Sequence, residues 1–508
     1  MDTIATHAAA KPDAPALMEG DRRLTWRAYH ERRNRVAHAL AGLGLRAGEH
    51  VIVYAANSME NMLASAAARA VGAISVPMNH RLVADEVAYV LDDSDAAFVF
   101  VGDTFLATAD AVRGRAARVR QWVTIGAARQ PWAAHLDDLV ATGDPAGVPA
   151  DTTGNIGGSM IYTAGTTGKP KGALRRALDQ SALLPRLAAF DLVRPHVHLA
   201  AGPLYHSAPG AFALYTHIFG GTVVIMTKFD AEEALALIAR HRVTSTFMAP
   251  ILLKRIVDLP DAVRARYDVS SMQVIVVAAA PCPMKVKEDV LRYFGPTLYE
   301  FYGSTELGMN TLLRPEDVLR KPGSCGRAMP GVELAVFDAD GRPVTAGEPG
   351  ELFIRRYEGV FDEYHKKAEA TRQMQRGEWL SVGDVAWIDE EGFVYICDRL
   401  RDMVISGGVN IYPAEIEDAL HRHPAVQDVA VFGVPDDTWG ERLHAAVQSR
   451  PGAAVTAEEL IDFARAHLGA YKVPREVSFH DAFPRDAAGK LLKRVLREPF
   501  WQGRTSRV

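Results

Sequence analysis

Apolar and polar positions along the first hundred residues predict helices that alternate with short strands. Val36, Leu40 and Leu43 recur at helical spacing within residues 31–45. The apolar runs that follow are bounded by polar or small residues, as buried strands are. The predicted order is helix 31–45, strand 50–56, helix 61–73, strand 73–78, helix 86–94 and strand 96–102. Such alternation is typical of a parallel sheet covered by helices.

The pattern changes twice further along the chain. Residues 128–158 are rich in Pro, Gly, Asp and Thr and predict a surface linker, after which a helix at 231–243 and strands at 244–250 and 271–281 restore the α/β order. Beyond about residue 320, short strands separated by Gly and Pro predict a β-rich subdomain. The predicted fold class is therefore α/β, with a large N-terminal region of α/β layers plus a β-rich subdomain.

The last hundred residues predict a small, mobile α+β unit. Pro413 is placed to open a helix, and residues 426–434 alternate as a strand does. Thr456 and Glu459 have the spacing of a capping box before another helix. We find no internal repeat and no low-complexity tract.

One uncharged stretch is long enough to be a candidate membrane span. Residues 195–227 contain no Asp, Glu, Lys or Arg, which exceeds the ~20 residues that a span requires. However, the stretch holds three prolines, four histidines and the pair Gly220-Gly221. Because these residues do not suit a helix that faces lipid, we predict a buried core around a pocket and a soluble chain.

Composition and charge narrow the function classes. The chain has 508 residues, a formal net charge of −5 and 48% hydrophobic residues, which fits a globular protein of several domains and disfavours a nucleic-acid coat. The N-terminus has Asp2 and no apolar segment after it, so no signal peptide is expected. Cys282, Cys325 and Cys397 are widely separated and form no metal-binding or disulfide pattern, so a cytoplasmic location is expected.

The strongest local feature is the segment 162–172, which follows an apolar run and contains four glycines or alanines among hydroxyl and basic residues. Glycines allow backbone N–H groups to approach an anion, Thr163, Thr166 and Thr167 supply hydroxyl groups, and Lys169 and Lys171 supply positive charge. It is not a Walker A loop, because Thr163 and Pro170 stand where that motif needs Gly and Ser or Thr. We predict a phosphate-binding loop.

This segment resembles the signature loop of the acyl-adenylate-forming superfamily, which includes acyl-CoA synthetases, peptide-synthetase adenylation domains and firefly-type luciferases. Six further motifs follow in the order that the superfamily has, and together they span nearly the whole chain. These are PLYHSAPG (203–210), YGSTE (302–306), KPGSCGRAMPG (321–331), Gly383-Asp384, DRLRDMVISGGVNIYPAEIE (398–417) and PRDAAGKLLKR (484–494). Two small departures are Ala164, where Ser or Thr is usual, and Cys282 after a run of alanines.

The resemblance implies a role for each motif. Glu306 would hold Mg²⁺, Asp384 would bind the ribose hydroxyls, and Lys490 would be the catalytic lysine of adenylation. Glu306 and Thr163 are expected to share the catalytic role with Lys490. The implied ATP- or AMP-binding residues are Thr163, Thr166, Thr167, Gly168, Lys171, Tyr302, Gly303, Thr305, Asp384, Arg399 and Lys490.

The acyl and thiol sites are less sharply defined by sequence. His206, Phe212, Phe247, Ala278, Ala279 and Met309 are predicted to line the acyl tunnel, although most of them would serve equally well as core. Gly407, Gly408 and Trp439 are predicted to contact CoA. Arg401 matches the hinge of the superfamily, which divides the chain into an N-terminal adenylate-forming domain (1–400) and a mobile C-terminal domain (401–508).

The resemblance implies an AMP-forming acid–CoA ligase that uses ATP, Mg²⁺ and CoA, acts on a hydrophobic acid of fatty, aromatic or steroid side-chain type, and is expected to be a homodimer. Two alternatives stay open. The chain could be a stand-alone adenylation enzyme that loads a separate acyl carrier protein, because no fused carrier domain is expected after the lysine motif. It could also be a nucleotide-binding regulator without catalysis, although Lys490, Glu306, Asp384 and Arg399 together disfavour this.

Overall fold

The predicted alternation of helices and strands is present in the N-terminal region. The computed structural model describes residues 2–149, 158–163, 169–176, 180–192, 194–358, 360–399, 402–406, 409–436, 438–485 and 491–502, with the backbone alone for 180–182. The first helices are Thr3–Ala10, Trp26–Gly42, Met59–Ala70, Ala84–Asp93 and Leu106–Arg113, with a 3₁₀ turn at Asp103–Phe105. The long second helix begins earlier than predicted because Thr25 caps it, accepting a hydrogen bond from the Ala28 N–H.

A first sheet has eight strands, most of them parallel. In spatial order they are Glu363–Tyr364, Lys171–Arg175, Ser159–Thr163, Ile74–Pro77, His50–Tyr54, Ala96–Gly102, Gln121–Ile125 and Ala134–His135. The second and third of these form an antiparallel hairpin in which Thr163 faces Lys171. The two ends of the predicted phosphate loop therefore lie opposite each other, and residues 164–168 between them lie outside the described residues.

A second sheet has seven strands and is parallel except at one edge. Its order is Leu298–Glu300, Val274–Val277, Ser245–Met248, Val197–Ala200, Thr222–Ile225, Pro15–Glu19 and Arg22–Thr25. The helices that precede or alternate with its strands between residues 180 and 300 are Gln180–Ala189, Ser207–Ile218, Ala231–His241, Pro250–Val257, Asp261–Arg264 and Met284–Phe294. In parallel sheets, ligands bind beyond the carboxyl ends of the strands, where the segments after Val277 and Glu300 lie.

The predicted β-rich subdomain is confirmed as an antiparallel sheet of six strands. They are Gln375–Arg376, Trp379–Leu380, Gly350–Arg355, Asp384–Ile388 and Val394–Arg399, with Leu334–Phe337 paired to the third. Two short antiparallel pairs precede it, Gly303–Ser304 with Gly308–Met309 and Thr311–Leu312 with Arg327–Ala328. The helix Ala368–Gln373 lies between its strands in the sequence.

The C-terminal unit has the predicted α+β composition. Its sheet contains Val404–Ser406, Val409–Ile411, Val426–Asp436, Gly440–Ser449 and Glu476–Phe479, and its helices are Pro413–His421, Ala457–His467 and Lys493–Trp501, with a 3₁₀ turn at Ala470–Lys472. The capping box is confirmed, because Thr456 Oγ1 accepts from the Glu459 N–H at 3.2 Å and Glu459 Oε2 accepts from the Thr456 N–H at 2.8 Å. The domain boundary at 400/401 stays a prediction, since both residues lie outside the described residues.

The prediction of a plain linker at 128–158 is wrong in part. A helix, Leu136–Thr142, forms within it, and Leu136 and Leu139 are buried in the N-terminal core. The run HLDDLVAT is too short to stand out between Pro- and Gly-rich flanks, and its two leucines gain stability only through tertiary packing.

The uncharged stretch 195–227 forms a strand, the helix Ser207–Ile218 and a second strand, as expected of buried core. None of the helices in the described ranges is both long and apolar enough to cross a bilayer.

Candidate active site

Thr163 and Glu306, 143 residues apart in sequence, meet at one wall of a large cavity. The Thr163 hydroxyl donates to Glu306 Oε1 at 3.0 Å, which brings the phosphate-loop hairpin against the YGSTE segment. Lys171, at the other end of the hairpin, has its Nζ 5.2 Å from the ring centroid of Tyr364. Thr166, Thr167 and Gly168 lie outside the described residues. The hairpin thus directs a hydroxyl and an ammonium group to the same place.

Glu306 is held by a residue that sequence reasoning missed. The Tyr364 hydroxyl donates to Glu306 Oε1 at 2.8 Å, and the Phe361 N–H donates to the Glu306 carbonyl at 2.7 Å. Burial and the nearby Glu306 charge raise the pKa of Tyr364, so the phenol keeps its proton and remains a donor. Tyr364 belongs to no recognisable sequence motif. It reaches Glu306 because its edge strand pairs with residues 173 and 174.

Asp384 and Arg399 are directly opposite residues on neighbouring antiparallel strands. Arg399 Nε lies 3.2 Å from Asp384 Oδ1, and the Tyr302 hydroxyl donates to Oδ2 at 2.6 Å. Burial, followed by the Asp384 charge, raises the pKa of Tyr302 well above its usual range. The resemblance implied a nucleotide-binding role for Tyr302, and the structure adds that its hydroxyl orients the Asp384 carboxylate.

The turn after Tyr302 is compact. A side chain at Gly303 would collide with the carbonyl oxygen of Gly308 on the facing strand, so a glycine is required there. Gly303 and Thr305 both line the cavity, beside Glu306. The backbone of this motif can therefore approach a ligand closely.

The predicted acyl-site residues all line the same cavity, which has a volume of about 2590 Å³. Phe212 and Phe247 are stacked with ring centroids 5.5 Å apart, and both are almost fully buried. They are therefore core and cavity wall at once. His206 lies at the N-terminal end of the helix Ser207–Ile218, with its ring 4.4 Å from that of Tyr205. Ala278, Ala279 and Met309 complete this apolar wall.

A second network, also missed from the sequence, supports the hairpin from behind. The Tyr162 hydroxyl donates to Asp93 Oδ2 at 2.9 Å, and Lys367 Nζ lies 3.3 Å from Asp93 Oδ1. The Tyr89 hydroxyl lies 3.2 Å from Asp93 Oδ1 and 3.1 Å from the carbonyl oxygen of Pro170. Both arms of the phosphate-loop hairpin are thus tied to one buried carboxylate.

Of the site residues predicted in the C-terminal domain, Trp439 lies in the described part of the chain. Arg401, Gly407, Gly408 and Lys490 lie outside the described residues. Trp439 is 46% exposed, with the Arg475 guanidinium carbon 5.8 Å from its ring centroid, and among the described residues it does not belong to the cavity wall. The structure therefore does not bring Trp439 to the nucleotide site.

The three cysteines lie at the cavity wall but are poor nucleophiles. Burial raises the pKa of Cys282, Cys325 and Cys397 to about 12 in each case. Since the thiolate is the reactive form, these thiols are unreactive near neutral pH.

Comparison with known proteins agrees with this geometry. The family described as AMP-binding enzyme matches residues 4–365, and its C-terminal domain family matches residues 415–490. The long-chain-fatty-acid–CoA ligase FadD13 of Mycobacterium tuberculosis is 34% identical over 503 residues, which cover 97% of each chain. The fatty acid–[acyl-carrier-protein] ligase ScoC of Streptomyces coeruleorubidus is 32% identical over 511 residues, covering 99% of this chain and 96% of ScoC.

A solved structure gives the same result at the level of the fold. The anthranilate CoA ligase AuaEII in complex with anthranoyl-AMP superposes with a TM-score of 0.89 at 28% identity, covering 98% of this chain and 96% of that one. The two matched families cover most of the chain, including the N-terminal region and most of the C-terminal unit. The chain therefore belongs to the AMP-binding enzyme family, within the acyl-adenylate-forming superfamily, and is an AMP-forming acid–thiol ligase of the acyl-CoA synthetase type.

Proposed function

We propose that the chain activates a hydrophobic carboxylic acid with ATP and transfers the acyl group to CoA. One observation supports this most: Thr163–Glu306 and Tyr302–Asp384–Arg399 line one cavity, which continues between Phe212, Phe247, Ala278 and Met309. A polar wall suited to a nucleotide is thus continuous with an apolar pocket suited to an acyl chain.

In the first step, a carboxylate oxygen of the acid attacks the α-phosphorus of ATP, and the bond to the pyrophosphate oxygen breaks. Asp384 accepts hydrogen bonds from the ribose hydroxyls, while Lys171 and Lys490 offset the negative charge that develops on the phosphate oxygens. In the second step, the CoA sulfur attacks the carbonyl carbon of the acyl-adenylate, and AMP leaves. The buried wall keeps water away from this mixed anhydride.

Glu306 suits the magnesium role. No cluster of three or more His, Cys, Asp or Glu side chains with the arrangement of a metal cage occurs in the described part of the chain. Mg²⁺ in nucleotide enzymes is instead bound by one or two carboxylates together with substrate phosphates. Both hydrogen bonds that the Glu306 side chain makes with described residues use Oε1, and the residue lines the cavity next to the phosphate-loop hairpin. When bound there, Mg²⁺ would neutralise charge on the phosphates.

The similarity to ScoC favours a second candidate, transfer to an acyl carrier protein. FadD13 is named for long-chain fatty acids and AuaEII for anthranilate, an aromatic acid. The two similarities therefore support a hydrophobic acid as the substrate but do not distinguish an aliphatic from an aromatic one. The cytoplasmic location and the homodimer remain predictions from the sequence.

The test is acid-dependent ATP–pyrophosphate exchange over a panel of aliphatic and aromatic acids, followed by addition of free CoA or of a pantetheinylated carrier protein. The proposal predicts exchange that needs both acid and ATP, and acyl-CoA on addition of CoA. Product with the carrier protein alone would establish the second candidate. Nucleotide binding without exchange on any acid would leave only a regulator.

A further inference from the structure

Two arginines line the cavity without carboxylate partners. Arg186, on the helix Gln180–Ala189, is 6% exposed, and Arg175 is half-buried at the end of its strand. Neither forms an ion pair with any residue in the described ranges, and the Nε atom of each is buried without a hydrogen-bond partner there. Both residues belong to the wall of the cavity that contains Glu306. Buried charges are normally paired, so the buried Arg186 calls for a ligand, and the half-buried Arg175 lies at the same wall.

The Arg186 guanidinium is held in place by neutral groups. Its carbon lies 4.1 Å from the ring centroid of Tyr357, and Nη1 donates to the Glu358 carbonyl at 3.3 Å. Stacking and one carbonyl contact fix the plane of the guanidinium and offset part of its charge, but they supply no counter-ion. The Nε edge therefore keeps a fixed donor that no described protein group uses.

The position belongs to the acyl side of the cavity. The Tyr357 hydroxyl lies 2.8 Å from the Leu307 carbonyl and 3.2 Å from that of Met309, one of the predicted acyl-site residues. Burial raises the pKa of Tyr357 to about 12 and also raises that of Tyr215, whereas the charges of Arg175 and Arg186 act in the opposite direction on both. Arg186 thus lies over Tyr357, which lines the cavity together with Tyr215, Met309 and Arg175.

We infer that Arg186, assisted by Arg175, selects acids that carry a second oxygen acceptor, a carboxylate or a ketone, at the far end of an apolar body. This inference rests on the proposed function and specifies its substrate class. A guanidinium edge binds a carboxylate with two parallel hydrogen bonds and binds a ketone with one. A plain fatty or aryl acid would leave the buried cation unpaired, at a cost to its binding.

The test compares matched acids in ATP–pyrophosphate exchange with the wild-type protein. The probes are phenylpropanoate with its para-carboxy and para-acetyl derivatives, and octanoate with octanedioate. A site built to hydrogen-bond a second polar group should favour the acceptor-bearing acids in kcat/KM by about 100-fold or more. Comparison of the para-carboxy with the para-acetyl derivative shows which acceptor is preferred. Equal use of each matched pair, or preference for the parent acids, would overturn the inference.

Arg186→Leu should reduce kcat/KM for the acceptor-bearing acids at least about tenfold while leaving or improving that for the parent acids. Arg186→Lys should be intermediate, since lysine lacks the bidentate edge. Arg314→Leu is the matched control, because Arg314 also lies over a tyrosine, Tyr299, at 5.7 Å but is paired with Asp191 and Glu316 outside the cavity. It should leave the selectivity unchanged.

An equal loss with every acid in folded Arg186→Leu would show a structural arginine and overturn the inference. If that variant does not fold, the wild-type selectivity decides alone. Exchange with the parent acids only would contradict the inference and leave the proposed function standing, whereas no exchange with any acid would contradict both.

Discussion

At the scale of single residues, Asp384, which we propose to bind the ribose, also accepts the buried hydrogen bond of Tyr302. We expect Asp384→Asn to raise the KM for ATP about tenfold or more, because an amide loses the charge and half the acceptor capacity that two ribose hydroxyls need. It can still accept from Tyr302, so the melting temperature should change little. Asp384→Ala instead leaves Tyr302 and Arg399 without their partner, at a cost of about 1–3 kcal/mol. Nucleotide kinetics and thermal unfolding measure the two effects, and an unchanged KM for ATP in a folded Asn variant would refute the ribose assignment.

The cysteines give a second prediction at this scale. The attacking thiol comes from the co-substrate, and the three protein thiols, with pKa values of about 12, stay protonated at neutral pH. The triple variant Cys282→Ser, Cys325→Ser, Cys397→Ser should therefore keep its turnover if it folds. Complete inactivity of a variant with a normal circular dichroism spectrum and melting transition would contradict this.

At the scale of elements, the turn after the strand Val274–Val277 stores backbone strain. Ala279 has φ +78°, a left-handed conformation that costs a residue with a side chain of order 1 kcal/mol. We expect Ala279→Gly to increase the free energy of unfolding by roughly 0.5–1 kcal/mol. Ala278→Gly is the matched control, since that residue is buried and has no positive φ, and it should destabilise. Denaturant unfolding of both variants measures the difference, and destabilisation by Ala279→Gly would refute the strain.

Elements with a clear period could be predicted from sequence, and those without one could not. The strand Ala96–Gly102 and the helix Ala231–His241 match their predicted runs because burial imposes the pattern locally. The helix Leu136–Thr142 was missed because its stability comes from packing. The site shows the same division, since Glu306 and Asp384 lie in local motifs. Tyr364 and Arg186 reach the cavity, and Asp93 reaches the phosphate-loop hairpin, only through the tertiary fold.

At the scale of the whole molecule, the two predicted half-reactions require different faces of the C-terminal domain. The resemblance implies that Lys490 acts near the α-phosphate and Gly408 near the thiol, and we therefore propose that the domain rotates about Arg401 between the steps. Arg450 of the C-terminal unit lies 3.9 Å from Asp258 of the N-terminal region, and because both side chains are half-exposed, this ion pair is weak enough to break during such a rotation.

We therefore expect Lys490→Ala to lower acyl-adenylate formation by about 10²-fold or more but to retain conversion of supplied acyl-AMP and CoA to thioester. Gly408→Trp should do the reverse, and Arg401→Pro should impair whichever conformation it disfavours. Lys285→Ala, which removes an exposed lysine paired with Asp289, should affect neither step. Assays of each half-reaction on the purified variants provide the readout, and equal loss of both steps in Lys490→Ala would exclude the rotation.

The most direct measurement for the whole molecule is a single-turnover reaction of the wild-type protein with radiolabelled ATP and an acid, quenched before and after addition of CoA. The two-step mechanism predicts pyrophosphate and bound acyl-AMP before CoA is added, then AMP and acyl-CoA in equal amounts afterwards. Formation of ADP, or of AMP in the absence of any acid, would contradict it.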